Sequence, residues 1–380
     1  MTNPRFLPPR AAYVHVPFCR HRCGYCNFTL VAGRDDLVEA FLEAQAQELS
    51  WLRGPHPVDT LYIGGGTPTH LDVGPLKRLL DLVLRCFPLF DHAEFTVEAN
   101  PYDVSQEKLE LLRSAGVNRI SLGVQSFDRS KLMMLERDHR CEHVERAVEL
   151  ARAEFDVSLD LIFAAPQETL AGWRADLEHA LRLAPDHLST YGLTYDRGTR
   201  FWARLAKGRL TRLEESVELQ MYEMALDRLP LAGLGHYEIS SFARPGHRCR
   251  HNEAYWTGRT YFGVGPGAAR HIAGRRELNH RSTTTYLRRV LAGQSPVTES
   301  ELLSPEASAR ERLAFALRRM DGVEKTNFGN ETGYTIEALM QDRLQQFVDQ
   351  GLLQDRGAHF CLTRAGILLC DSVCGALLTA

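Results

Sequence analysis

The sequence predicts an α/β fold: a partial (β/α)6 barrel followed by a small helical, winged-helix-like module. Two observations carry this. In the first half, short apolar runs alternate six times with amphipathic stretches, as parallel strands with helical crossovers require. The polar residues of that half then gather just after the apolar runs. Those positions are the carboxyl ends of strands, where α/β barrels place their sites. Ordinary surface polarity would scatter to both ends.

Residues 12–16 read as the first strand and 37–51 as the first helix, with apolar residues at helical spacing. Strand 58–63 precedes helix 76–86, and strand 94–98 precedes helix 105–115, with Ser105 as its N-cap. Strand 119–123 leads into a helical region over 131–153, and strand 157–163 into helix 171–183. Residues 187–193 form the sixth strand, and 213–229 read as a long helix. Residues 233–270 are rich in Gly, His and aromatics with little periodicity, the pattern of loops that shape a site. Residues 296–304 read as a linker or a helix start. From 307 follow a helix, a turn, helix 336–350, short strands at 352–353 and 360–363, and helix 364–374. The expected divisions are a core over 1–230, a loop-rich extension over 231–295 and a module over 296–380.

With 380 residues, 44% apolar and 24% charged, the chain has material for a sizeable core and two domains. A net charge of −3 with no long basic run argues against nucleic acid as a partner. Residues 1–10 hold no apolar signal core, and no stretch is long and apolar enough to span a bilayer. The nine cysteines are an odd count, which argues for a reducing compartment and a cytoplasmic location.

After the first strand comes Cys19-Arg-His-Arg-Cys23-Gly-Tyr-Cys26. Three thiolates can hold three irons of a [4Fe–4S] cube and leave the fourth open, whereas an electron-transfer cluster takes four cysteines. A zinc site stays open as an alternative, with His15 or His21 as fourth ligand. After the second strand comes Gly64-Gly-Gly-Thr-Pro-Thr69, whose missing Cβ atoms admit a ligand close to the backbone. It lacks the Gly-Lys-Ser/Thr of a P-loop, so its backbone is free for an amino group or a carboxylate. Glu98 ends the third strand, Gln125 follows the fourth, Asp160 lies inside the fifth and Tyr195-Asp196 follow the sixth. Each alone has a plain structural reading as a cap, a turn or an internal ion pair. Grouped on one barrel face beside the cysteines, they read as a site.

The cysteine loop, the Gly-Gly-Gly-Thr-Pro-Thr run, Val97-Glu-Ala-Asn-Pro101, Ser121-Leu-Gly-Val-Gln-Ser-Phe127 and Asp160-Leu-Ile-Phe163 together resemble the radical S-adenosylmethionine enzymes. More narrowly they resemble the oxygen-independent coproporphyrinogen oxidase group, HemN and its relatives. The resemblance implies Cys19, Cys23 and Cys26 as cluster ligands, with S-adenosylmethionine on the open iron and cleaved there to a 5′-deoxyadenosyl radical. It implies Gly65, Gly66 and Thr67 at the methionine end. Glu98, Gln125, Arg137 and Asp160 would lie around the cofactor, and Tyr13 and Tyr25 near cluster and adenine. The oxidase has a further cysteine two residues past the triad, and here Asn27-Phe28 stands instead, similar to the HemW branch. So does His251-Asn-Glu-Ala-Tyr-Trp256, preceded by Cys249-Arg. That branch implies a haem chaperone, with His251 or Cys249 in a mobile loop able to ligate haem iron. Arg137-Asp-His139 is a second candidate pair. Leu362-Thr-Arg-Ala-Gly366 resembles the C-terminal module of both branches. Implied partners are haem or a porphyrin, haem-acceptor proteins and an electron donor, with peripheral membrane association left open. The competing reading is a radical enzyme acting on a porphyrin or porphyrinogen.

Overall fold

The computed structural model describes residues 8–378. The first seven residues, part of the stretch read for a signal core, lie outside it. Six parallel strands follow one another in space as in sequence: β1 (Ala11–Val16), β2 (Val58–Gly65), β3 (Leu89–Ala99), β4 (Arg119–Gln125), β5 (Asp156–Phe163) and β6 (His187–Gly192). Each parallel step needs a crossover. α1 (Val38–Ser50), α2 (Val73–Cys86), α3 (Gln106–Ser114), the pair α4 (Arg129–Met134) and α5 (Cys141–Ala151), and α6 (Leu170–Arg182) supply them. Ser105 caps α3, accepting from the Lys108 N–H at 3.3 Å. α2 shows why the crossovers stay put. Leu76, Leu79, Leu80 and Val83 recur at helical spacing and are fully buried, each side chain stabilising by about 1.5–3 kcal/mol.

After β6 come α7 (Arg200–Ala206) and α8 (Glu215–Leu231). The region expected to be loops is then largely ordered. A hairpin of β7 (Gly235–Glu238) and β8 (Ser241–Ala243) joins the sheet antiparallel beyond β6. Helix α9 (Arg250–Trp256) is followed by β9 (Phe262–Val264), which pairs parallel on the free edge of β1. The sheet order is therefore β9-β1-β2-β3-β4-β5-β6-β8-β7. These strands of three or four residues are too short to show periodicity. β10 (Ala269–Ile272), β11 (Arg275–Asn279) and β12 (Val297–Leu302) form an antiparallel sheet, with α10 (Thr283–Leu291) before the last strand. Residues 296–304 are thus mostly a strand, not a linker.

The C-terminal module has its own core around Leu313, Phe328, Leu339, Phe360 and Val373. It opens with α11 (Pro305–Ala316) and carries a three-stranded antiparallel sheet of β13 (Val323–Glu324), β15 (His359–Leu362) and β14 (Leu353–Asp355). Two helices expected to be continuous are broken. The first divides at Gln341, whose φ of +51° no α-helix accommodates, into Ile336–Met340 and Asp342–Asp349. The second divides at Leu369, into Arg364–Leu368 and Cys370–Leu378. No helix among the described residues is long and apolar enough to cross a membrane.

Candidate active site

The cysteine loop is fixed at several points. Phe18–Cys19 pairs parallel with Val31–Ala32, closing the loop at its base. The Gly24 carbonyl accepts from the Phe201 N–H at 2.9 Å, and a Cβ on Gly24 would lie 2.4 Å from the Phe201 ring. Arg200 donates to the Arg22 carbonyl at 2.6 Å, and Arg281 donates to the Asn27 carbonyl. Cys19 is buried, with Thr67 Oγ1 3.3 Å from its sulfur. Burial pushes its thiol up to about 12, so its thiolate is stable only against a cation.

The three sulfurs do not gather round a single ion. The His, Cys, Asp and Glu trios among the described residues whose ligand atoms all lie within 4.8 Å are Cys141–Glu145–His179 and Asp156–Asp186–His247, neither of which includes a cysteine of this loop. A tetrahedral zinc thiolate site, with Zn–S near 2.3 Å, needs sulfurs only ~3.8 Å apart. Wider spacing suits sulfurs that each hold a different iron. His15 is also spent: Nδ1 faces the Tyr13 hydroxyl at 3.0 Å and Nε2 the Thr29 carbonyl at 2.6 Å. His21 points to Glu136 at 4.0 Å. The donor set fits an iron–sulfur cube better than zinc.

A cleft of about 600 Å³ opens at the carboxyl ends of the strands. It brings together all three cysteines with Tyr25, Gly65, Gly66, Thr67, Glu98, Gln125, Arg137 and Asp160. The glycine turn is shaped by its neighbours as much as by a ligand. A Cβ on Gly64 would lie 2.7 Å from the Glu98 carboxyl, on Gly65 (φ +108°) 2.4 Å from the His15 ring, and on Gly66 2.6 Å from the Phe18 carbonyl oxygen. Its donors are committed inside the protein. Gly65 N–H goes to Glu98 at 2.9 Å, Gly66 N–H to the Val16 carbonyl at 2.7 Å and Thr67 N–H to the Phe18 carbonyl at 2.7 Å. With those three N–H groups taken, they are not available to a ligand carboxylate.

Glu98 accepts from the Tyr62 hydroxyl at 2.8 Å as well as from Gly65. Burial raises its pKa to about 7 against the pull of those two donors. Arg137 links two elements, donating to the Gly123 carbonyl and lying 3.7 Å from Cys23 Sγ. Gln125 sits at φ +65°, in the left-handed region. The next two residues hold it there: Ser126 Oγ and Phe127 N–H both bond Asp176 at 2.7 Å, and Lys131 Nζ backs that carboxylate at 3.0 Å. Asp160 accepts from Ser121 at 3.1 Å, and burial raises its pKa, with the Arg119 charge opposing.

Several residues of the cleft were not legible as site residues. Tyr62, Arg119, Ser189, Tyr191 and Arg281 line it as well, and so does Asn252 of the His-Asn-x-x-Tyr-Trp motif. Arg119 is only 4% exposed, and its Nε is buried without a hydrogen-bond partner. A charged residue at the start of an apolar strand was the available signal.

Tyr13 and His251 do not line this cleft. Tyr13 packs behind it, its ring 6.1 Å from Tyr62. His251 corrects an expectation: it lies in helix α9, not in a mobile loop, and is 1% exposed. Its Nδ1 faces Thr60 Oγ1 at 3.0 Å, its Nε2 faces Tyr255 Oη at 2.8 Å, and its ring stacks on Tyr62. Cys249 is fully buried beside Glu94, which accepts the Arg250 and His251 N–H groups at the start of α9. The motif thus closes the barrel from below. His139 is likewise internal, its Nε2 2.9 Å from the Val124 carbonyl.

The radical SAM superfamily model matches residues 13–180, and the HemN C-terminal domain model matches 303–369. The chain is 36% identical to the Heme chaperone HemW of Bacillus subtilis, over 97% of this chain and 99% of that protein. It is 32% identical to the Heme chaperone HemW of Escherichia coli, over 97% of each. The solved structure of coproporphyrinogen III oxidase (HemN) from Escherichia coli superposes with a TM-score of 0.85, covering 98% of this chain and 90% of that one at 22% identity. At that identity the match speaks to the fold.

Proposed function

The chain belongs to the HemW family within the radical SAM superfamily, and from that premise we propose that it is a haem chaperone built on a cluster-bearing barrel. It would bind haem and pass it to acceptor proteins. The observation that carries this reading is likeness along the whole chain to proteins named heme chaperones, 36% in one case and 32% in another. Asn27 and Phe28, where the oxidase has its extra cysteine, support it.

In this reading Cys19, Cys23 and Cys26 hold a [4Fe–4S] cluster and leave one iron to S-adenosylmethionine. When bound, that pair supplies one-electron cleavage chemistry. The chain's own groups position it. The glycine turn lies against the methionine end, and the Glu98 carboxylate takes the amino group. Asp160, oriented by Ser121, accepts from ribose hydroxyls. Arg137 keeps the Cys23 side of the loop tied to the end of β4. Tyr25 covers the cluster side of the cleft, and Gln125 is presented by its held backbone. An electron donor and haem-acceptor proteins are the partners this implies.

The second reading, a radical enzyme acting on a porphyrin or porphyrinogen, draws on the completeness of the cleft, since Glu98, Gln125, Arg137 and Asp160 all converge there. One experiment separates the two. Anaerobically reconstituted protein is incubated with S-adenosylmethionine, reductant and either haem or coproporphyrinogen. Haem binding and transfer to an apo-haemoprotein, without decarboxylation, is the expected result. Conversion of coproporphyrinogen with deoxyadenosine formed in step would overturn it.

A further inference from the structure

The cleft that gathers the cysteines is not the largest in the molecule. A second, of about 990 Å³, lies at the amino ends of β1 and β2, between the barrel and the C-terminal module. Helix α9 is the partition. Asn252 lines the upper cleft, while Arg250, Glu253, Ala254 and Thr257 line the lower one. The volume is at the upper end of the range for small-molecule sites, about 300–1,000 Å³.

We propose that this lower cleft seats haem, with the two propionate carboxylates held among its arginines and the macrocycle against its apolar wall. The inference rests on the chaperone reading and says where the cargo sits.

Charge is the first argument. Arg10, Arg250, Arg259, Arg312 and Arg319 line the cleft against Asp59, Glu253 and Glu331, a formal excess of two positive charges. A haem dianion matches that excess. The arginines are not equally committed. Arg10 bonds Asp59 at 2.7 Å, Arg250 donates to the His92 carbonyl at 2.5 Å, and Arg319 lies 3.3 Å from Asp321. Arg312 pairs with Glu331. Arg259 is exposed and forms no ion pair with any described residue. It stands close enough to Arg312 to disfavour that residue's charge, adding to the effect of burial. Two neighbouring guanidiniums in one cleft, one paired with Glu331 and the other with no carboxylate among the described residues, are an arrangement that a further anion relieves. Local geometry holds them there. Gly258 is at φ +67°, and a Cβ on it would lie 2.7 Å from the Arg312 stem, which therefore packs flat on the glycine.

Shape is the second argument. Ala254, Ala273, Leu302, Leu303, Pro305 and Ala309 supply the apolar surface. Leu302 is 64% exposed at the rim, where a macrocycle seated in the cleft would cover it. His251 is consistent with a site that lies elsewhere than on its own ring, both of whose nitrogens already face oxygen atoms.

The test titrates the reconstituted full chain with haem, with metal-free protoporphyrin and with haem dimethyl ester. The Soret band and tryptophan quenching are followed. Haem and protoporphyrin should both bind, and the ester at least tenfold more weakly. Arg259→Glu should weaken haem at least tenfold with unchanged circular dichroism, and Arg312→Gln should weaken it as well. Lys207→Glu, an equal charge reversal on the exposed surface, should leave it unchanged. If the wild-type chain binds no haem, the chaperone reading fails and this inference with it. If it binds haem, but the ester and both arginine variants bind equally well, haem sits elsewhere and only the inference fails.

Discussion

The Glu98 carboxylate accepts the Gly65 N–H at 2.9 Å, across two neighbouring strands. This bond joins the end of β3 to the glycine turn at the end of β2, and Glu98, Gly65 and Gly66 line the same cleft. It also makes Glu98 dependent on what occupies that volume. Burial favours its protonated form, and a cationic ligand favours the ionised one.

S-adenosylmethionine binding should therefore tighten as pH rises through about 7, the raised pKa of Glu98. At one unit below that value about a tenth of the carboxyls are ionised, so apparent affinity should be about tenfold weaker at pH 6 than at pH 8. Stability of the ligand-free protein runs the other way. A carboxyl raised in the folded state binds its proton more tightly there than when unfolded, so its contribution declines between the ordinary carboxylate range and 7. Calorimetric titration on the reconstituted protein measures the first effect. Glu98→Gln should flatten the profile, and a wild-type profile that is already flat would remove Glu98 from the ligand.

Substitution at two glycines should have opposite signs. Gly65→Ala places a methyl 2.4 Å from the His15 ring at φ +108°, so it should cost more than about 2 kcal/mol and impair cluster loading. Gly74→Ala, in α2 with nothing within 4 Å of the new carbon, should be neutral or stabilise by up to about 1 kcal/mol. Thermal unfolding of both variants decides whether contact geometry or glycine content controls the effect.

Replacing Cys19, Cys23 or Cys26 by Ala should abolish the broad visible absorption and the paramagnetic signal of the reduced, reconstituted protein. Cys86→Ser and Cys361→Ser, at buried positions outside the cleft, should leave both intact. A triple variant that still assembles a cube would refute the assignment.

Acid should destabilise the fold through its internal histidines. Burial lowers the pKa of His251 to about 3, of His139 to about 3 and of His15 to about 4. Each is neutral when folded and takes up a proton on unfolding below about 6.5, so stability should fall as pH drops from there towards 4. His251→Ala should lose about 2 kcal/mol, from its contacts to Thr60 and Tyr255, while the Soret band of the folded fraction stays unchanged. Urea midpoints against pH, with a haem spectrum for the variant, test both parts.

The six-unit barrel was legible because long parallel strands buried on both faces read as apolar runs, with their polar residues at one end. Glu98, Gln125 and Asp160 stand out in the sequence for that reason, and all three line the cleft. Arg119 and Tyr62 were missed because a residue pointing into a barrel looks the same in sequence as one packed under a helix. The stretch around α9 was misread because β9 has three residues and α9 seven, too short for either period to emerge. His251 was misplaced for the same reason: a short capped helix rich in Gly neighbours and aromatics resembles a loop. Gln341, where a predicted helix breaks, gave no Gly or Pro warning.

Asn252 and Glu253 are adjacent residues on one short helix, yet they face separate cavities. A ligand that shifts α9 in either cavity must shift the wall of the other. Thermodynamic reciprocity then applies whatever the ligands are. If filling the upper cleft changes affinity in the lower by some factor, filling the lower changes affinity in the upper by the same factor. Loading of cargo and occupancy by the cofactor would become a single linked equilibrium, in which each reports on the other.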